Sequence, residues 1–110
     1  METKGDQTVQ RMIEDNREAL ATLCRRFRVR RLDLFGSAVH GGLHPESSDL
    51  DFLVEFHELR DNEYADTYFG LLEEFERLFE RNVDLVVVSA VKNPYFRESI
   101  ERSRTLLYAA

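Results

Sequence analysis

Two hydrophobic spacings alternate in the first part of the chain, one helical and one extended. Apolar residues recur at helical spacing over residues 9–27, which predicts one amphipathic helix. The sequence Val29–Phe35 then alternates, with Leu32 and Leu34 on one face and Asp33 on the other. This alternation predicts a first strand that leads directly into a Gly-Ser pair.

The Gly-Ser pair opens a segment rich in turn-forming residues. Residues 36–48 contain three of the five glycines, one of the two prolines and three of the six serines. This composition predicts a turn and a loop, with room for one short helical segment. Leu50–Phe56 follows as a second strand, and its alternation puts Leu50 and Phe52 on the face opposite Asp51.

The next two elements are predicted from a long apolar stripe and an almost wholly apolar run. Asp61 or Asn62 can cap a helix that continues to about Arg81. Val83–Ser89 is nearly all apolar, which is typical of a strand covered on both faces. We therefore expect this third strand to be central in the sheet.

A proline marks the start of the last predicted helix. Asn93 can act as an N-cap with Pro94 at the first helical position, and the helix continues through Ile100. Thr105–Tyr108 reads as either a last helical turn or a short strand. The order of elements predicts an α/β (α+β) fold, with a small mixed sheet of three to four strands packed against helices, in one domain over residues 1–110.

Composition narrows the class of protein. The hydrophobic fraction is 43% and the charged fraction 33%, as in soluble globular proteins. Met1–Gln10 is polar and no apolar run is long enough to span a membrane, so we expect neither a signal peptide nor a membrane partner. Cys24 is the only cysteine, which excludes an internal disulfide and favours a cytoplasmic location.

Charge argues against one class of partner. The formal net charge of −6 disfavours broad nucleic-acid binding, so we expect no direct contact with nucleic acid. Five arginines nevertheless cluster before and in the first strand: Arg25, Arg26, Arg28, Arg30 and Arg31. The favoured interpretation is a solvated helix end and strand face, and the alternative is a surface for an acidic partner or a phosphate.

Three aspartates stand at the starts of two predicted strands. Asp49 and Asp51 share one strand face, where two carboxylates repel unless a cation lies between them or one is protonated. Their oxygen ligands suit Mg²⁺ or Mn²⁺. Asp84 opens the third strand, and if the strands are neighbours a two-metal site for phosphoryl displacement becomes possible. The alternative is that all three are solvated acids at turns.

The turn at Gly36-Ser37 could bind an anion. Glycine lets backbone amides approach a ligand without a Cβ in the way, and Ser37 adds a hydroxyl donor. If a short helix starts there, its amides favour a phosphate. An ordinary strand-to-helix turn is the alternative, and the Gly-Ser pair alone does not decide between them.

Together, these features resemble the minimal nucleotidyltransferase (MNT) domains of the DNA polymerase beta-like superfamily. The resemblance rests on Gly36-Ser37 after a strand, then Asp49-Leu50-Asp51, then Asp84 on a following strand. It implies the polymerase beta-like nucleotidyltransferase fold. It further implies that Gly36 and Ser37 bind the triphosphate, that the three aspartates are catalytic and bind metal, and that Asp84 helps to deprotonate the acceptor.

Two departures from the family pattern accompany the resemblance. The spacer Ala38–Ser48 has eleven residues, one more than the commonest form, and His40 stands where many members carry arginine. A neutral imidazole would contact a phosphate less well than a guanidinium does. The departures concern the rate of catalysis rather than metal binding.

The resemblance also implies a biological role. MNT proteins are commonly the antitoxin of a pair with a HEPN-domain ribonuclease toxin, as in MntA-like antitoxins, and some transfer AMP from ATP to a toxin tyrosine. The first hypothesis is therefore a Mg²⁺- or Mn²⁺-dependent protein nucleotidyltransferase with ATP as substrate. The second is an antitoxin that neutralises its partner by binding alone, and the third is transfer to a small molecule or RNA. We expect no acceptor-binding domain within these 110 residues, so a second copy or another protein is expected to present the acceptor.

Overall fold

Four helices and a four-stranded sheet form the fold in the computed structural model of the protein, which describes residues 4–36 and 50–110. The helices are α1 (Lys4–Asp15), α2 (Arg17–Arg26), α3 (Asp61–Phe79) and α4 (Pro94–Ser103). The strands are β1 (Val29–Phe35), β2 (Leu50–Phe56), β3 (Val83–Val87) and β4 (Thr105–Ala109). Their order in the sheet is β3-β2-β1-β4, with β2 and β3 parallel and the other pairs antiparallel. The predicted fold class is confirmed.

The larger hydrophobic core lies between one face of the sheet and helices α1 to α3. Phe52 of β2 is fully buried, and its ring centroid is 5.3 Å from that of Phe75 and 5.7 Å from that of Phe79. Cys24 of α2 is also fully buried in this core. Burial raises the pKa of the Cys24 thiol to about 12, against a smaller opposing effect of the Arg25 charge.

A smaller cluster lies on the opposite face of the sheet, beneath α4. Phe35 of β1 and Leu53 of β2 pack there against Val91 and against Ile100 of α4. Alternation along the strands puts Asp33, Asp51 and Asp84 on this second face. The sheet therefore separates an apolar core from the face that carries the acidic side chains.

The prediction of one helix over residues 9–27 is wrong. The chain forms α1 and α2 with a break at Asn16, whose side-chain Nδ2 donates to the carbonyl of Met12 at 2.8 Å. Asparagine side chains compete with the backbone for such hydrogen bonds, which is why they interrupt helices. Apolar spacing continues across the break and conceals it.

The prediction that the third strand is central is also wrong, since β3 forms one edge of the sheet. Helix α3 covers the main chain of this edge: the Val83 N–H donates to Glu76 Oε2 at 3.1 Å, and the Leu85 carbonyl accepts from the Tyr68 hydroxyl at 2.6 Å. Burial, and after it the negative charge of Asp84, raises the pKa of Tyr68. An edge strand covered in this way can be as apolar as a central one.

The other predicted elements differ from the structure mainly at their ends. Strands β1 and β2 have the predicted bounds, and the Asn93 side chain caps α4 as expected. Helix α3 is capped at Arg60, whose N–H donates to Glu63 Oε1, and it ends at Phe79 because Glu80 is left-handed. Strand β3 ends at Val87, and a short 3₁₀ helix follows it.

The C-terminal segment forms a strand rather than a helical turn. Helix α4 continues past Ile100 to Ser103, and β4 then pairs antiparallel with β1. Among the described helices, none combines the length and the apolar character needed to cross a bilayer.

Candidate active site

Two of the three predicted carboxylates lie side by side. Asp51 of β2 and Asp84 of β3 are register partners in the parallel pair. The sequence-based condition for a shared site, that the two strands are neighbours, is therefore met. Asp51 is partly buried and Asp84 is exposed, so the pair borders solvent.

Gly36 brings the main chain against this pair. The residue before it, Phe35, is the register partner of Asp51 on the other side of β2. Gly36 is left-handed, with a φ of 80°. A Cβ at this position would lie 2.7 Å from Asp51 Oδ2, closer than real side chains allow. The left-handed backbone favours glycine here, and a larger residue would require the Asp51 carboxylate to shift.

Helix α4 contacts the same turn from above the sheet. The Gly36 N–H donates to the Ser103 hydroxyl at 3.1 Å. The ring of Phe96, at the other end of α4, meets the ring of Phe35 edge-on with centroids 6.1 Å apart. The end of β1 is thus held between α4 and the first residues of β2.

A buried ionic cluster fastens α4 to β1 next to this turn. Asp33 is fully buried, and Arg104 donates to it through Nε at 3.0 Å and a terminal nitrogen at 3.2 Å. Arg31 donates to both oxygens of the same carboxylate at 2.8 and 3.2 Å. Burial alone would raise the pKa of Asp33, but the hydrogen bonds and charges of Arg104 and Arg31 outweigh it and lower that pKa.

The remaining predicted site residues, Ser37 and Asp49, lie outside the described residues, as does His40. Within residues 4–36 and 50–110, no group of three or more acidic, histidine or cysteine side chains is arranged to hold a metal ion. Asp51 and Asp84 supply two adjacent carboxylates, and the close main chain at Gly36 shapes the space beside them.

Sequence reasoning missed the residues of α4 and of the ionic cluster. Ser103 and Arg104 carry no motif, and their contacts with Gly36 and Asp33 span 67 and 71 residues of chain. One signal was available, because an aspartate in the middle of the apolar strand β1 requires a partner. The arginine that follows α4 is one of many, and the sequence does not single it out.

Several arginines of the cluster before and in β1 have partners within the protein. Arg31 binds Asp33, and Arg28 donates to Glu63 at 3.0 Å and to the Glu58 carbonyl at 2.7 Å. The guanidinium of Arg26 lies 5.0 Å from the centroid of the Phe27 ring. These contacts favour the structural interpretation of the cluster over a phosphate-binding one.

Comparison with known families identifies the class of protein. The family model described as a nucleotidyltransferase domain matches residues 17–107. The match includes strands β1 to β3 in full, the first residues of β4, and the Gly36, Asp51 and Asp84 positions. The chain belongs to the nucleotidyltransferase domain family, and it is a nucleotidyltransferase.

Two curated relatives come from Methanocaldococcus jannaschii, and each carries the inferred name of protein adenylyltransferase. One is 36% identical over 76 residues and the other 40% identical over 76 residues. Each alignment covers 69% of this chain and 74% of the relative. The names of both relatives specify a protein as the acceptor of the adenylyl group.

Solved structures agree with the fold. One described as an inferred minimal nucleotidyltransferase is 33% identical, with a TM-score of 0.71 over 84% of this chain and 90% of the other. A toxin–antitoxin structure with AMP-PNP has a TM-score of 0.67 at 22% identity, covering 86% and 74%. A tri-AMPylated Shewanella oneidensis HEPN toxin with its MNT antitoxin gives 0.61 at 18% identity, covering 88% and 72%. The last two similarities establish a shared fold alone.

Proposed function

We propose that the protein is an antitoxin that transfers AMP from ATP to a tyrosine hydroxyl of a partner HEPN ribonuclease toxin, in a Mg²⁺-dependent reaction. One observation carries the proposal: Asp51 and Asp84 are register partners at the rim of the sheet, directly beside the glycine turn. The names of the curated relatives support protein as the acceptor. The HEPN toxin modified with AMP in the structural neighbour supports the partner.

The donor set fits a hard divalent cation. Asp51 and Asp84 offer carboxylate oxygens from adjacent strands, and Asp49, two residues before Asp51, is proposed as the third ligand. Mg²⁺ or Mn²⁺ bound by them would neutralise charge on the phosphates during displacement.

The chain's own groups orient the reactants and receive the proton. The acceptor oxygen attacks the α-phosphorus of ATP while the bond to the bridging oxygen of the β-phosphate breaks, and pyrophosphate leaves. Asp84 is the proposed proton acceptor, and its exposure lets a protein-borne hydroxyl reach it from solvent. Gly36 and Ser37 are proposed to hold the triphosphate in line.

The proposal is tested by following AMP onto the partner. Wild type and the variants Asp51→Asn, Asp84→Asn and Asp15→Asn are mixed with the HEPN protein, Mg²⁺ and ATP labelled in the α-phosphate. Asp15 is an exposed aspartate at the end of α1 and serves as the matched control. We expect label on the partner with wild type and Asp15→Asn, and about a hundredfold or greater loss with the other two.

Two results would contradict the proposal. Label on the partner at the wild-type rate with Asp51→Asn would exclude the assigned site, and transfer in excess chelator would exclude the metal. If the site variants transfer no AMP but still inhibit the ribonuclease as wild type does, the antitoxin acts by binding alone. Mapping the label to a residue other than tyrosine would correct the acceptor.

A further inference from the structure

The amide of the site glycine already has a hydrogen-bond acceptor within the protein. The Gly36 N–H donates to Ser103 Oγ at 3.1 Å, and the same hydroxyl donates to the Ser99 carbonyl at 3.3 Å. Its proton points along helix α4, which leaves an oxygen lone pair for Gly36. Ser103 therefore acts as a defined acceptor for the amide.

Contacts on both sides of Ser103 hold this hydroxyl in place. One turn earlier, Ile100 is buried in the cluster with Phe35 and Leu53. One residue later, Arg104 binds the buried carboxylate of Asp33 through two nitrogens. The last turn of α4 is thereby attached to β1 three residues before Gly36, so the acceptor and the turn share one rigid frame.

We infer that Ser103 is a positioning residue for the nucleotide site. By accepting the Gly36 N–H, it sets the plane of the Phe35–Gly36 peptide and with it the direction in which the left-handed turn leaves β1. Gly36 then contributes shape to the triphosphate site rather than its own hydrogen bond, because its amide is already used. The inference rests on the proposed function only in naming the ligand of the turn as a nucleoside triphosphate.

Ser103 does not touch the reacting atoms in this account, so its loss should affect nucleotide binding more than the chemical step. A neutral hydrogen bond contributes enough free energy to change an equilibrium by about threefold to tenfold. We therefore expect Ser103→Ala to raise the KM for ATP by about threefold to tenfold, with a smaller change in kcat. A merely structural role would change the melting temperature and leave KM unaltered.

The decisive comparison uses two side chains of the same shape. Ser103→Thr keeps the hydroxyl, whereas Ser103→Val replaces it with a methyl group, so crowding is equal in both. Ser99→Ala is the matched control, since it removes an exposed serine hydroxyl one turn earlier on the same helix. We expect wild-type KM from Ser103→Thr and Ser99→Ala, and raised KM from Ser103→Val and Ser103→Ala.

A binding measurement separates this inference from the proposed function. Titration of AMP-PNP with Mg²⁺ into each form needs no transfer and no partner, and hydrogen exchange of the Gly36 amide reports the hydrogen bond itself. Weaker binding and faster Gly36 exchange only in the forms without the hydroxyl would support the inference even if wild type transfers no AMP. Equal affinity in Ser103→Thr and Ser103→Val, or no binding by wild type, would overturn it.

Discussion

The two faces of the sheet are stabilised in different ways. On one face, helices α1 to α3 bury a continuous set of aromatic and aliphatic side chains. On the other, α4 contributes Ile100 to a cluster of only four buried apolar residues, and the same face carries Asp33, Asp51 and Asp84. Since hydrophobic burial is concentrated on the first face, the second can hold acidic groups without loss of the fold. The larger core and the proposed active-site carboxylates thus lie on opposite sides of one sheet.

The acidic face has its own means of attachment. On this face, Arg31 and Arg104 donate hydrogen bonds to Asp33, whereas aromatic rings pack together on the first face. Charge-assisted hydrogen bonds are directional, whereas hydrophobic contact is not. They fix the angle and height of α4 above the site, which hydrophobic packing alone would define less sharply.

The largest loss of stability should come from the apolar face. Phe52→Ala removes a fully buried ring and should lower the free energy of unfolding by about 3–5 kcal/mol. The control is Phe69→Ala on α3, whose side chain is 61% exposed and should cost about 0.5 kcal/mol or less. Urea unfolding monitored by circular dichroism measures both, and equal costs would contradict the assignment of the core.

Breaking the ionic cluster should cost less and should depend on pH. Asp33→Asn leaves two arginines without their carboxylate partner. Because the Arg31 side chain is 43% exposed and can be hydrated again, we expect the free energy of unfolding to fall by about 2 kcal/mol at neutral pH. The folded pKa of Asp33 lies below its ordinary value of 3.8. Its stabilisation is therefore complete above that value and is lost as pH falls through the folded pKa.

The pH profile provides the control for this prediction. The difference in unfolding free energy between wild type and Asp33→Asn should shrink as the solution becomes more acidic than about pH 4. A difference that stays constant down to strongly acidic pH would mean that the Asp33 carboxylate has the same pKa in folded and unfolded chains. Arg104→Lys tests the bidentate geometry separately, since lysine keeps only the charge.

The smallest cost in stability, with a large cost in activity, should come from the turn. Gly36→Ala puts a side chain in the left-handed region, which should lower the free energy of unfolding by about 1–2 kcal/mol. It also places a Cβ against the Asp51 carboxylate. Gly36→Asn tolerates the left-handed backbone better but has the same Cβ. We expect Asn to recover stability without recovering AMP transfer, and recovery of both would locate the defect in the backbone rather than at Asp51.

Sequence reasoning succeeded where one strand carries its own signal. Alternation gave the bounds of β1 and β2, and the acids at the starts of β2 and β3 gave Asp51 and Asp84 before their pairing was known. The roles of Gly36, Ser37, Asp49, Asp51 and Asp84 in binding and catalysis stay predictions. The same reasoning failed where the local structure depends on a residue distant in the sequence, as in the hydrogen bond from Gly36 to Ser103.

Helix and sheet placement were misjudged for a related reason. The period of the hydrophobic residues shows which side of an element is buried. It does not show which other element buries that side, or whether a helix is interrupted. Asn16 interrupts a helix without disturbing the apolar spacing. In β3, Val83 and Val87 pack in the larger core and Val86 packs on the opposite face, so this edge strand has the sequence of an interior strand.

The covering of β3 by Tyr68 and Glu76 has a consequence for how the protein meets other chains. With the Val83 N–H and the Leu85 carbonyl already bonded to α3, this rim is a poor template for an incoming strand. Sheet-to-sheet polymerisation along β3 is thereby discouraged at high protein concentration. A chain that docked along this edge would find fewer main-chain groups to pair with and would depend more on side-chain contacts.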